Sequence, residues 1–154
     1  MTAAVPFAGW CQEEARALAG LRSVLVAESE ALDAREPARI EALAAEKARL
    51  VEALSALAAR RGAWMQEAGL DSREALTTWL ADQPVERDAW GALEQIAAEV
   101  RDLNARNGQL IDARLALTNE ALTLLREAAA ATLGYTREGA KPDLPGGGRH
   151  LGSA

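Results

Sequence analysis

With one cysteine and one histidine in 154 residues, the chain has little with which to build a reactive site. Cys11 has no second cysteine to pair with, so no intrachain disulfide forms. His150 lies in a Gly/Pro-rich terminal stretch, away from the helix-forming part of the sequence. Those two counts exclude a Cys/His zinc site and a Ser–His or Cys–His catalytic pair on an ordered scaffold. They also exclude the Glu-x-x-His pairs of a di-metal helical bundle. Aromatic residues make up only 4% of the chain, and β-branched residues are sparse. No segment reads as a strand, so no glycine-rich phosphate loop follows one. An enzyme is not expected, and neither is a cofactor or a metal.

Clustered positive charge is missing as well. The net charge is −6, and the only adjacent basic pair is Arg60-Arg61, flanked by Ala and Gly. Counterion-release binding to nucleic acid needs a basic face, so no nucleic-acid partner is expected. No apolar run approaches the roughly 20 residues needed to cross a bilayer, so membrane insertion is not expected. The first ten residues carry no basic group and are followed by Glu13-Glu14, unlike a secretory signal. A cytoplasmic location follows as an expectation.

Ala, Leu, Glu and Arg dominate what remains, the composition of long helices that bury narrow seams. The fold class expected is all-α. It comprises an antiparallel helical hairpin, a short helix and a long third helix in an elongated coiled-coil-like bundle. The domain is expected to cover residues 1–133, with a flexible, disordered tail over 134–154, where half of the glycines fall.

A first helix from about Ala8 to Ala34 carries Leu18, Leu21, Leu25 and Leu32 at three-four spacing, with Glu28 on the same stripe. Pro37 disfavours helical dihedrals at Glu36 and suits the first turn of a second helix, so the turn is very short. The second helix, about Pro37 to Ala68, repeats Ile40, Leu43, Lys47, Leu50, Leu54, Leu57, Arg61 and Trp64 in strict heptad spacing. Folding the hairpin at Glu36 sets Leu32 against Ile40 and Leu18 against Leu54, and leaves Glu28 one turn from Lys47. Gly69-Leu70 reads as a left-handed helix stop. Asp71 and Glu74 have capping-box spacing for a short helix containing Leu76, Trp79 and Leu80. Trp64, Trp79 and Trp90 are expected to cap one end of the bundle, whereas Trp10 finds no assignment.

The long helix is expected from Pro84 or Val85 to Leu133, stopping at Gly134. Its seam runs through Leu93, Ile96, Val100, Leu103, Asn107, Leu110, Arg114, Leu117 and Leu124. Asn104, Asn107 and Gly108 interrupt it, although Gly costs about 1 kcal/mol relative to Ala in a helix. Asn107 reads either as a register-setting polar residue or as an amide aimed at a partner. Gly108 reads as a point of close helix approach or a bend. Beyond Leu110 a second stripe begins, with Ile111, Leu115, Leu122 and Leu125. Either the helix lies in the groove between the first two, or an apolar face awaits an amphipathic partner. The long helix outruns the hairpin, which favours a partner or a homodimer.

Several motifs occur in one order along the chain: L-x-x-V-L-x-x-E-x-x-A-L (Leu21 to Leu32), K-x-x-L-x-x-x-L (Lys47 to Leu54) and Arg60-Arg61. L-N-x-R-N-G-x-L-I (Leu103 to Ile111), Leu122/Leu125 and Tyr135-x-x-x-Gly139 follow. Together they resemble the FlgN family of flagellar export chaperones. The tail departs from the family pattern, with Thr136 after the tyrosine and Ala140 after the glycine. The resemblance implies a cytoplasmic chaperone for hook-associated proteins of the FlgK and FlgL types. It implies that the cargo's C-terminal helical segment is held by Asn107, Leu110, Ile111, Leu115, Leu122, Leu125 and Leu133. It further implies that Tyr135 docks the complex on the cytoplasmic domain of the export gate. The alternatives are a structural coiled-coil dimerisation module, and a chaperone for another flagellar export substrate such as the filament cap.

Overall fold

A computed structural model describes residues 6–137 of the backbone and the side chains of residues 6–130. Four helices follow one another: α1 (Phe7–Ala34), α2 (Pro37–Glu67), α3 (Arg73–Ala81) and α4 (Pro84–Arg137). No strand occurs among the described residues. The chain divides into two compact units, Met1–Leu110 and Ile111–Ala154.

In the first unit α1 and α2 form the expected antiparallel hairpin. Its turn is two residues long because α1 closes with a left-handed residue, Arg35, at φ 55°. The Arg35 amide donates to the Leu32 carbonyl at 3.3 Å and the Glu36 amide to the Ala31 carbonyl at 3.1 Å. These are the paired bonds of a Schellman stop, and Pro37 then begins α2. The heptad of α2 is the seam: all eight of its positions from Ile40 to Trp64 are half-buried. Leu18 packs with Leu54 in one core cluster, and Lys47 reaches Glu28 at 3.4 Å. The register is the one expected from the turn.

α2 ends in a second Schellman stop, with Gly69 at φ 73° and the Leu70 amide donating to the Met65 carbonyl at 2.7 Å. Leu70 is buried by it. The cap of α3 differs from the expectation. Ser72, not Asp71, is the N-cap, and its hydroxyl accepts from the Ala75 amide at 3.1 Å. Leu70 is held in the core, so the extended cap conformation falls on Ser72, three residues before the amide it serves.

α3 carries Leu76 and Leu80 into a cluster with Phe7, Cys11 and Leu93. Three of the four tryptophans surround Phe7, which is fully buried. Its ring lies 5.6, 5.3 and 5.8 Å from those of Trp64, Trp79 and Trp90. Trp10 meets Trp64 edge-on at 6.2 Å, and the Arg60 guanidinium lies over the Trp10 ring, 5.0 Å from its centroid. Burial pushes the neighbouring Cys11 thiol up to about 11, with Arg61 drawing it down and Glu14 adding to the rise. A neutral, buried thiol is inert packing.

α4 runs beside α1 in the same direction, because Phe7 meets Trp90, Arg22 pairs with Glu99 at 2.7 Å, and Leu25 meets Asn107. One expectation for this helix is overturned and another is narrowed. It passes through Gly134 and continues to Arg137, since one glycine costs only about 1 kcal/mol in a helix interior. At Gly108 a Cβ would have nothing within 4 Å, so among the described residues no helix approaches it closely, which removes the close-approach reading and leaves the bend. Of the tail expected over residues 134–154, the first four residues belong to α4 and residues 138–154 lie outside the described residues.

The left-handed Arg35 supplies the first prediction. An L-residue in that conformation carries a penalty of about 1–2 kcal/mol. Glycine removes the penalty at the cost of a more flexible unfolded chain. Arg35→Gly is expected to raise stability by roughly 0.5–1 kcal/mol, a melting-temperature gain of a few degrees readable by circular dichroism.

Candidate functional site

Two kinds of residue were singled out on α4, and they have opposite fates. Asn107 is 2% exposed, and its side-chain amide donates to the Leu25 carbonyl at 2.8 Å and to Glu28 Oε1 at 3.0 Å. Glu28 is itself buried, and the same oxygen accepts from Lys47 Nζ at 3.4 Å. One residue from each of α1, α2 and α4 therefore meets at a single carboxylate. A buried carboxylate is costly unless paired and hydrogen-bonded, and Lys47 with Asn107 supplies both.

Of the two readings of Asn107, this geometry favours the register-setting one over cargo binding. Its side-chain amide already has two acceptors inside the fold, and a partner could take its hydrogens only by displacing the Leu25 carbonyl or the Glu28 carboxylate. Asn107 sets the position of α4 along α1.

A similar tie lies nearer the aromatic end. Arg61 makes two bonds to Glu14, at 2.6 and 3.2 Å, and lies 5.2 Å over the ring of Trp90. Arg60 pairs with Glu13 beside it. The single basic pair of the chain is thus matched to its Glu-Glu pair across the hairpin.

The leucines of the second unit are placed differently. Leu115, Leu122 and Leu125 are 56, 44 and 66% exposed. Leu117 and Leu124, read from the sequence as seam positions, are 64 and 60% exposed. The correction has a simple cause: heptad spacing marks an apolar stripe whether or not anything covers it. Every described side chain from Leu115 to Ala130 is exposed. Ile111 is half-buried, as is Leu110, the last residue of the first unit. The side chains of Leu133 and Tyr135 lie outside the described residues; their backbone belongs to α4.

Chemically, this face offers dispersion and water exclusion and little else. Soluble monomers seldom leave a contiguous apolar patch of this kind uncovered unless it binds something. Among the described residues no group of His, Cys, Asp and Glu could hold a metal ion. No helix among them is long and apolar enough to cross a membrane.

Comparison with known proteins gives one match. The family model described as FlgN protein covers residues 7–143. No curated protein and no solved structure matches the chain.

Loss of the Asn107 amide separates its two readings. Asn107→Ala is expected to cost about 1–3 kcal/mol of stability in chemical denaturation, because Glu28 keeps its burial and loses a donor. Partner affinity should be unchanged at temperatures where the variant is folded. A lower affinity at unaltered stability would return Asn107 to the binding face.

Proposed function

The chain belongs to the FlgN family of flagellar export chaperones, and from that premise we propose that it binds hook-associated proteins of the FlgK and FlgL types in the cytoplasm. The cargo segment is the C-terminal helical region, and the seat is the leucine face of α4 from Ile111 through Leu125, continuing to Leu133. The observation that supports this reading is the exposure of five leucines within eleven residues of one helix.

Covering four or five such side chains is worth on the order of 6–12 kcal/mol before the costs of association and ordering. The remainder is enough for micromolar binding or better. The same burial explains chaperoning. A terminal helical segment that assembles with its neighbours through apolar contacts is shielded while it lies on this face. The complex is then delivered to the export gate, with Tyr135 as the aromatic anchor on the gate's cytoplasmic domain. Tyr135 stands in the last turn of α4. Aromatic anchors carry a large share of the energy at small interfaces.

A second reading, dimerisation of the chaperone through this face, draws on the same exposed leucines. The cargo reading is preferred because the family is one of export chaperones. Another flagellar substrate, such as the filament cap, would use the same physics.

Leu122→Asp with Leu125→Asp is expected to abolish cargo capture while leaving helicity within a few per cent of the parent, since both side chains are exposed already. A collapse of the circular dichroism signal together with binding would make the stripe part of the fold. A variant that still captures FlgK-type cargo, but has changed from dimer to monomer, would favour the dimer reading.

Tyr135→Ala is expected to keep the chaperone–cargo complex and weaken its recruitment to the export-gate domain, which pull-downs on each partner in turn can read. Lost cargo affinity with gate binding intact would move Tyr135 into the cargo seat.

A further inference from the structure

The width of the leucine face carries information about the shape of what covers it. In the first unit, the large apolar residues of α4 run from Trp90 through Leu93, Ile96, Val100 and Leu103 to Leu110. At 3.6 residues per turn they occupy about 160° of the helix circumference. α1 and α2 cover most of that arc, and α3 closes its Trp90–Leu93 end. α1 reaches it through Phe7, Leu25 and Glu28, and α2 through Leu50, Leu54 and Arg61.

In the second unit the largely apolar arc runs from Leu124 and Leu117 at one edge, through Leu125 and Ile111, to Leu122 and Leu115 at the other, with Arg114 and Thr118 as the polar residues inside it. Counted in the same way it spans about 180°. The other half of the circumference holds no leucine. It carries Asp112, Asn119, Glu120, Thr123, Arg126 and Glu127, with alanines between them. Leu124 and Leu115 therefore point in opposite directions from the helix axis. One straight helix lying against α4 covers a stripe nearer 100° wide and cannot touch both edges.

We infer that the partner lays two helical segments on this face rather than one, as a helical hairpin or two helices of one chain, repeating the relation that α1 and α2 have to α4. The inference rests on the chaperone reading of the face and adds the form of the cargo that fits it. The two edges differ in charge. Glu120 and Glu127, one heptad apart, flank the Leu117–Leu124 edge, whereas Arg126 and Asn119 flank the Leu115–Leu122 edge. The cargo helix on the first edge carries Lys or Arg on its outer flank. The helix on the second edge carries acidic or amide side chains.

The test uses the full chain with a photo-crosslinking phenylalanine derivative placed singly at Leu124 and at Leu115, each mixed with the FlgK-type hook-associated protein and irradiated. The expected result is two cross-linked peptides from two different helical segments of the cargo, one from each edge. Cross-links from both edges to the same segment would overturn the inference and leave a single helix as the occupant. A cargo cross-link at one edge and a chaperone–chaperone cross-link at the other would also overturn it, with a second copy of this chain as the other helix. An intact complex that cross-links at neither edge would remove the cargo from this face altogether, and with it the reading on which the inference rests. A paired substitution gives an independent measure. Leu117→Ser/Leu124→Ser and Leu115→Ser/Leu122→Ser should each weaken cargo binding by about tenfold or more, since each strips one edge. Full affinity in either double variant would mean that its edge is unused.

Discussion

The buried carboxylate of Glu28 is the constraint on which the helical register depends. A charged group at this depth persists only while its partners stay in place, and those partners come from two other helices. Sliding α2 by one turn would remove Lys47, and sliding α4 by one turn would remove Asn107. Either slip would take away one of the two donors that this buried carboxylate has, a cost that repacking leucine on leucine does not relieve. Leucine seams alone do not discriminate in this way, because a heptad stripe shifted by seven residues meets another leucine. The polar contact adds little net stability and much specificity.

Glu14 and Arg61 repeat the arrangement two heptads away on both α1 and α2, with Trp90 of α4 as the third member. The two ties bracket the core cluster of Leu21, Leu25 and Val100. Beyond the Glu14 tie, Phe7 and the tryptophans close the end of the first unit. A helical bundle with few large side chains has concentrated them there, where α3 must turn the chain from α2 into α4. The apolar interior is thin, and the polar ties set how its layers line up.

Function then follows from a contrast within one helix. In the first unit α4 has its buried polar side chains partnered and most of its apolar face covered. In the second unit its leucines lie open. Apolar surface of that extent is an unmet demand for burial, and an export chaperone is a protein whose task is to meet such a demand temporarily in its cargo. On the proposed cargo reading, binding to this face is almost wholly non-directional, and specificity comes from length, arc width and the charges along the two edges.

Local chemistry and periodicity by themselves determined the helix content, the short turn at Glu36-Pro37, the seam of α2 and the pairing of Glu28 with Lys47. All of these depend on spacing along one chain or on a turn that leaves no freedom of register. The motif order also made the family legible. Tertiary structure alone decided the rest. Phe7 carries no periodic signal, and only packing shows that three tryptophans enclose it. Trp10 carries no periodic signal either, and only the fold brings the Arg60 guanidinium over its ring. Asn107 had two readings because an amide serves a neighbour inside the fold as well as it serves a partner. The acceptors that engage it inside the fold lie on α1, some eighty residues away in sequence. Leu117 and Leu124 have seam spacing, yet spacing records only that a helix has an apolar face. Whether that face is covered depends on where the other helices end, and that is a property of the assembled fold.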